Sequence, residues 1–218
     1  GDFMLPLRDT EASRKVPIAT MSIIVLNIIV FVKQWTLPYD ESLYMIYEYA
    51  FIPSKFINGL NNIESYIPLF TSMFMHGDIL HILSNMWSLW LFGDNVEDRM
   101  GSFRFFVFYI LTGLIAGFAH FISSPLSNVP TVGASGAIAG VMGAYFMMFP
   151  HSKIVTLVPF IPFFIRVPAQ IFLFIWFISQ LRSGLYGAVS GVAWWAHIFG
   201  FLAGILLYRK FTKETTRY

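Results

Sequence analysis

The chain has 218 residues, 56% of them hydrophobic and 12% charged, with a mean hydropathy of +0.65, against roughly 25% charged residues in an average soluble domain. That composition excludes an ordinary water-soluble globule, and it leaves room for about six spans of roughly 20 residues but none for a large extramembrane domain. A net charge of +2 without a basic stripe excludes a nucleic-acid partner, and the absence of Cys excludes disulfides, thiolate nucleophiles, iron–sulfur clusters and Cys-rich zinc sites.

Sustained apolar runs predict membrane helices over about 17–32, 79–93, 103–122, 134–150, 167–181 and 192–208. The first follows Arg14 and Lys15 without a small-residue cleavage site, so it reads as a signal anchor, and Gly1, Asp2 and Phe3 ahead of Met4 read as a cloning scar. Residues 33–75 form the long connection, alternating Tyr39, Tyr44, Tyr47, Phe51 and Phe56 with Asp40, Glu41, Glu48 and Glu64. Such a loop belongs in the membrane interface, where aromatic bodies are half buried and charges stay wet. The expectation is a single all-α membrane domain over 1–218, a six-helix bundle with an interfacial first loop. Lys and Arg in alternate loops number 11 on the side holding both termini and 3 (Lys33, Lys55 and Arg182) on the other, which makes the termini cytoplasmic.

Polar groups at membrane depth are costly, so each is a functional candidate. His81, Ser84, Asn85 and Ser88 lie in the second run, His120 near the outer end of the third, Gly133-Ala134-Ser135-Gly136 at the start of the fourth, and His197 in the sixth. With the N-terminus inside, the second, fourth and sixth spans all begin on the non-cytoplasmic side. At about 1.5 Å per residue, His81, Asn85, Ser135 and His197 then share one leaflet. A hydroxyl, two imidazoles and an amide at one depth are what a buried hydrolytic site requires: nucleophile, base and oxyanion donors. His81 and Asn85, four apart, share a helix face. Gly136 with Gly140, and Gly200 with Gly204, are small-xxx-small pairs that allow the fourth and sixth spans to approach closely. Ser135 at a helix N-terminus also presents its own backbone N–H, free of an intrahelical partner, as an oxyanion donor.

Other chemistries fit less well. A lone Gly-x-Ser-Gly has little specificity, and a Ser in a membrane helix is usually back-bonded; the combination at one depth carries the reading. His76 and His81 are five apart, about 140° around a helix, and no His-Glu-x-x-His occurs, so neither a metal nor another cofactor is called for. Asp78 and Asp94 lie at span ends without a facing carboxylate, against an aspartyl dyad. Midplane charges that would suit a transporter are missing.

These residues resemble the rhomboid intramembrane serine proteases of the compact six-helix bacterial kind, from Met4-Leu-Pro-Leu-Arg8-Asp9 to Tyr208. The specific pieces are His76-x4-His81-x3-Asn85, Gly93-Asp-Asn-Val-Glu97-Asp-Arg99-Met-Gly101, Gly133-Ala-Ser135-Gly136 and Ala196-His197-x-x-Gly200. The resemblance implies a Ser135–His197 dyad without an acidic third member, His81 and Asn85 stabilising the oxyanion, His76 as a structural histidine, and Glu97 and Arg99 as a structural pair on the cytoplasmic side. It also implies membrane-spanning protein substrates whose helix unwinds easily, reached from the bilayer beside the fifth span.

Three departures stand out. A Trp-Arg pair common in the first loop is here Ile67-Pro68. The aromatic residue against which the base usually packs is Ala139. Phe199 stands where a small residue is usual and is expected to fill part of the volume that Ala139 leaves. The same fold also serves catalytically dead relatives that hold membrane clients; the survival of both dyad members separates this chain from them. The fifth run, approached through Pro159, Pro162 and Pro168 and rich in Phe172, Phe174, Trp176 and Phe177, is the expected moving gate.

Overall fold

A computed structural model describes residues 5–157, 164–186 and 193–213. Residues 1–4, Pro159, Pro162 and Arg217, which entered the sequence reading, lie outside the described residues. The molecule is a helical bundle with a small sheet at one end. In chain order the elements are β1 (Leu5–Asp9), α1 (Ile18–Thr36), α2 (Tyr39–Tyr49), α3 (Pro53–Asn58), α4 (Pro68–Thr71), α5 (Ile79–Met100), α6 (Ser102–Ser123), α7 (Ser135–Met148), β2 (Lys153–Leu157), β3 (Phe164–Pro168), α8 (Ala169–Tyr186) and α9 (Trp194–Phe211). Short 3₁₀ turns cover Ile63–Tyr66 and Ser72–Phe74.

The six long helices match the six apolar runs, with instructive differences at the ends. α5 runs seven residues beyond the apolar stretch, to Met100. Its last turns are polar in composition yet buried, Asn95 and Glu97 being 3% and 2% exposed. It stops where Gly101 takes φ 80, a left-handed value suited to glycine. α8 starts only at Ala169, because Val167 precedes a proline and is therefore held in the extended region, as part of β3. By length and composition α1 and α6 can each cross a bilayer, while α7 and α8 are shorter apolar helices.

The all-α expectation is corrected by an antiparallel three-stranded sheet, ordered β1-β2-β3. β1 pairs with β2 from Leu5 opposite Leu157 to Asp9 opposite Ile154, with a bulge between Pro6 and Arg8, and β2 pairs with β3 from Lys153 opposite Pro168 to Leu157 opposite Phe164. The sheet is tied to the bundle by side chains. Trp87 Nε1 of α5 donates to the Pro6 carbonyl at 2.7 Å, and Asp9 accepts from Asn95 Nδ2 at 2.8 Å and from the Tyr145 hydroxyl at 2.5 Å. Burial and the neighbouring Asp94 and Glu11 push the Asp9 carboxyl up to about 6, with the Tyr145 hydrogen bond opposing them.

Glu97 organises the same end. It accepts from the Ala19 and Thr20 backbone N–H groups at 2.9 and 2.7 Å, from the Thr20 hydroxyl at 2.7 Å and from Ser102 Oγ at 2.6 Å, so one carboxylate caps α1 and joins α1, α5 and α6. Arg99 is not its partner: the guanidinium lies 5.2 Å over the Phe149 ring. The expected Glu97–Arg99 pair is thus two separate structural contacts.

The first connection also differs from a plain interfacial loop. α1 extends to Thr36, and short helices follow, two of them with proline in the first turn. Tyr39, Tyr44 and Tyr47 are exposed as an interface would have them, but Phe51 and Phe56 are buried and pack edge-on against Phe121 of α6. Pro68, in place of the Trp-Arg pair, starts α4, and Thr71 Oγ donates to the Tyr49 carbonyl at 2.7 Å, anchoring the loop by other means.

α7 is the centre of the bundle, buried continuously from Gly136 to Tyr145, and its most extensive neighbours are α9 and α6. The glycines work in two directions. A Cβ on Gly200 or Gly204 of α9 would land on the carbonyl oxygen of Gly136 or Gly140, and one on Gly143 would land on that of Phe201, so α7 and α9 meet backbone to backbone. The bare sides of Gly136 and Gly140 face α6, where Ala116 and Thr112 fill the space a side chain would take.

Candidate active site

At the end of the bundle away from the sheet, a cavity of about 500 Å³ is lined by Ser135, His197, His81, Asn85, Asp78 and Gly133. Four expected residues therefore meet in one place, from α5, α7 and α9.

Ser135 is the first residue of α7 and His197 lies in the first turn of α9. With the two helix backbones in contact through Gly136 and Gly200, Ser135 Oγ is 2.8 Å from His197 Nε2. As the N1 residue of α7, Ser135 also offers a backbone N–H with no intrahelical acceptor.

α5 supplies the opposite wall. Asp78 is its N-cap and accepts from the His81 backbone N–H at 2.8 Å. The Gly77 N–H donates to His81 Nδ1 at 3.3 Å, so Nδ1 is an acceptor and the ring proton sits on Nε2, the atom that faces Gly133. One turn on, Asn85 is 7% exposed and its Nδ2 is a buried donor without a partner among the described residues. A buried, unpaired amide donor is costly unless something else takes the hydrogen bond. Both donors converge on Gly133, whose φ of 131 favours glycine and whose missing Cβ would otherwise stand 2.8 Å from His81 Nε2 and 3.7 Å from Asn85 Nδ2. The Gly133 N–H is held by the Ser72 carbonyl at 2.9 Å.

His76 is not on the helix of His81 but in the segment before its cap, fully buried. Its ring meets that of His81 edge to face at 4.9 Å, and its carbonyl accepts from Gln34 Nε2 of α1 at 3.0 Å. His120, near the end of α6, is hydrogen-bonded through Nε2 to Thr131 Oγ1 at 2.9 Å.

The surroundings of His197 correct one expectation. Phe199 does not fill the space beside Ala139; it is 44% exposed and lies near Trp195, 6.4 Å between centroids. Two residues along a helix are about 200° apart, so residue 199 is on the far side from residue 197. The small Ala139 belongs to the close approach: a Cβ at Gly200 would already be 3.3 Å from it. The imidazole packs instead against Trp176 of α8 at 6.2 Å and Trp194 of α9 at 6.0 Å.

A residue that sequence reasoning missed completes the picture. Gln180 of α8, 8% exposed, lies with Oε1 2.7 Å from His197 Nδ1. The available signal is the polarity of Ser179 and Gln180 at the end of the otherwise apolar run 167–181.

A rhomboid-domain family model matches residues 64–214, more than half of the chain and including all of these groups. Among curated proteins, the chain is 28% identical to the mitochondrial Rhomboid protein 1 of Saccharomyces cerevisiae over 154 residues, 66% of this chain and 41% of that protein. It is 32% identical to the rhomboid-type protein YdcA of Bacillus subtilis over 149 residues, 64% of each. With Rhomboid protease GluP of the same organism it shares 41% identity over 76 residues, 35% of this chain and 14% of that protein. In each case the chain spans less than two thirds of the relative's own length.

Proposed function

The chain belongs to the rhomboid family of integral membrane proteins, and from that premise we propose that it is a serine endopeptidase cutting membrane-spanning proteins with a Ser135–His197 dyad. The observation that carries the proposal is the 2.8 Å contact of Ser135 Oγ with His197 Nε2 in a cavity also lined by His81 and by Asn85, whose Nδ2 has no partner among the described residues. The names of GluP and of other relatives as proteases, at partial coverage, point the same way.

Ser135 Oγ attacks the scissile carbonyl carbon as its proton passes to His197 Nε2. The new oxyanion accepts from His81 Nε2–H, Asn85 Nδ2 and the Ser135 backbone N–H. Collapse breaks the C–N bond, His197 gives its proton to the leaving amine, and a water deprotonated by His197 hydrolyses the acyl ester, restoring Ser135. The reaction needs no metal and no cofactor. The small side chains of Gly133, Gly136, Gly140, Gly200 and Gly204 allow the close approaches that set these distances, and His76 supports His81.

In this reading residues 1–218 form one domain in which α1, α5, α6, α7, α8 and α9 cross the bilayer. Following the distribution of Lys and Arg, both termini are cytoplasmic and the cavity opens to the other side, in a bacterial cytoplasmic membrane. Water enters from that side. Substrates arrive laterally past α8, and a transmembrane helix rich in small residues at the cut is the fitting client.

The test is cleavage of a reporter transmembrane substrate in liposomes, with fluorophosphonate labelling as a second readout. Wild type should cleave and label; Ser135→Ala should do neither while remaining folded. Equal cleavage by the two proteins would overturn the proposal.

A further inference from the structure

His197 meets the nucleophile through Nε2, and an imidazole can act as a base towards Ser135 only if the proton of the neutral ring is on Nδ1. Something must accept that proton. In this chain no carboxylate does so among the described residues; the group at Nδ1 is the side-chain amide of Gln180, at 2.7 Å.

An amide is ambiguous by itself, since its oxygen would place the ring proton on Nδ1 and its nitrogen would displace it to Nε2. The neighbouring hydrogen bonds remove the ambiguity. The Trp176 carbonyl has no proton, so at 2.6 Å the Ser179 hydroxyl must be the donor to it. Having spent its proton, Ser179 Oγ can only accept from Gln180, at 3.0 Å, which identifies that end of the amide as Nε2. Oε1 is then the end that faces His197, the ring carries its proton on Nδ1, and Nε2 is left as the acceptor for Ser135 Oγ–H. The direction of four successive hydrogen bonds is thus set by one backbone carbonyl of α8.

We propose that Gln180, oriented by Ser179 and the Trp176 carbonyl, is the positioning residue that fixes the catalytic tautomer of His197. It stands where the acidic third member of a triad would, while Trp176 and Trp194 supply the ring packing that position 139 does not. Unlike a carboxylate, the amide adds no charge to the membrane interior, where an ion is expensive. The inference rests on the serine-protease reading for its kinetic consequence but not for its spectroscopic one.

The experiment uses the full chain in detergent micelles or liposomes with ¹⁵N-histidine labelling, comparing wild type, Gln180→Leu, Gln180→Glu and Ser179→Ala. In wild type the His197 ring should show the Nδ1–H tautomer. Gln180→Leu, close in volume but without an acceptor, should give mixed tautomers and lower kcat about tenfold with KM unchanged, the scale of one neutral hydrogen bond. Gln180→Glu keeps an acceptor and should retain the Nδ1–H signal. Ser179→Ala frees the amide to flip and should show partial mixing with a smaller rate loss.

An unchanged His197 tautomer in both Gln180→Leu and Ser179→Ala would overturn the assignment, and so would a loss of tautomer in Gln180→Glu as large as in Gln180→Leu. If wild type neither cleaves nor labels, the protease reading fails, yet the tautomer spectra still decide the role of Gln180.

Discussion

α7 and α8 are consecutive apolar helices, the first rich in Gly and Ala and the second in Phe, Ile and Leu, and they are held in opposite ways. α7 is buried continuously from Gly136 to Tyr145 and touches α9 through main-chain atoms. α8 buries Ala169, Leu173 and Gln180, packs a partly buried Phe172 on the core, and meets α9 through rings, Trp176 at 5.9 Å and Phe177 at 5.1 Å from Phe201. Backbone contact has one solution, because neither partner has a rotamer to change; ring contact has many. The proposed nucleophile and base sit on the first kind of interface, and the residue that orients the base sits on the second. In the proposed reading, a helix held by rings is the one that yields to an entering substrate, without moving Ser135 relative to the α9 backbone.

Substitutions can break this contrast, and the largest effect should come from Gly200→Val. Its added Cβ meets the Gly136 main chain, which cannot step aside as a side chain can, so the cost exceeds the about 1–3 kcal/mol of ordinary core overpacking. Cleavage and fluorophosphonate labelling should both vanish, and the thermal midpoint in detergent should fall; wild-type labelling by this variant would show that the seam is adaptable after all. On α8 a truncation away from the packed face is mild: Phe174→Ala, at a side chain 56% exposed, should leave the midpoint within error.

Within the rigid half, the oxyanion donors should separate from the dyad. Asn85→Ala should reduce turnover about 10² to 10³-fold, roughly 2.7–4 kcal/mol of transition-state stabilisation, while serine labelling persists. A folded Asn85→Ala as inactive as Ser135→Ala would mean that the amide has another task. Across the contrast, Phe172→Ala should speed cleavage of a transmembrane substrate about threefold, equivalent to roughly 0.7 kcal/mol, with labelling by a small reagent unchanged. Phe172 is the cleaner probe, since Trp176 also packs on His197. A disulfide tying α8 to α5 that leaves cleavage of that substrate unaltered, together with no effect of Phe172→Ala, would place entry elsewhere.

The smallest effect concerns the sheet end. The Asp9 carboxyl is held near 6, above its ordinary 3.8, so the folded state favours the protonated form. Stability from this group is present below about pH 4 and is lost as pH rises through 6. Asp9→Asn should flatten that portion of the stability–pH curve and raise the thermal midpoint slightly at pH 7.5. A wild-type midpoint that rises from pH 4 to pH 6, with no change in slope in the variant, would contradict it.

What could be read from sequence followed membrane cost. Six apolar runs located the six long helices, and rare polar groups at one depth located Ser135, His197, His81 and Asn85, because a bilayer leaves few reasons for such residues to be there. Three features escaped for different reasons. β1 has no apolar run to announce it, and its partner residues on β2 lie 145 positions further on for Asp9 opposite Ile154 and 152 for Leu5 opposite Leu157, in an antiparallel register that only the fold brings together. Gln180 lies inside the apolar run 167–181 but close to its end, where a neutral amide can reach the interface and so does not stand out as a costly group at membrane depth. The direction of Phe199 was legible from the helical angle but was overridden by a volume argument, and the angle was right.

Glu97 has a consequence for the order in which the molecule is made. Its four donors come from the first turn of α1, about 77 residues earlier in the chain, and from Ser102, five residues later. During synthesis the leading end of α1 therefore stays uncapped by protein until the ribosome has passed Ser102, and then α1, α5 and α6 acquire a common fastening almost at once. The first helix thus waits for a carboxylate from the far end of α5 to close its leading turn.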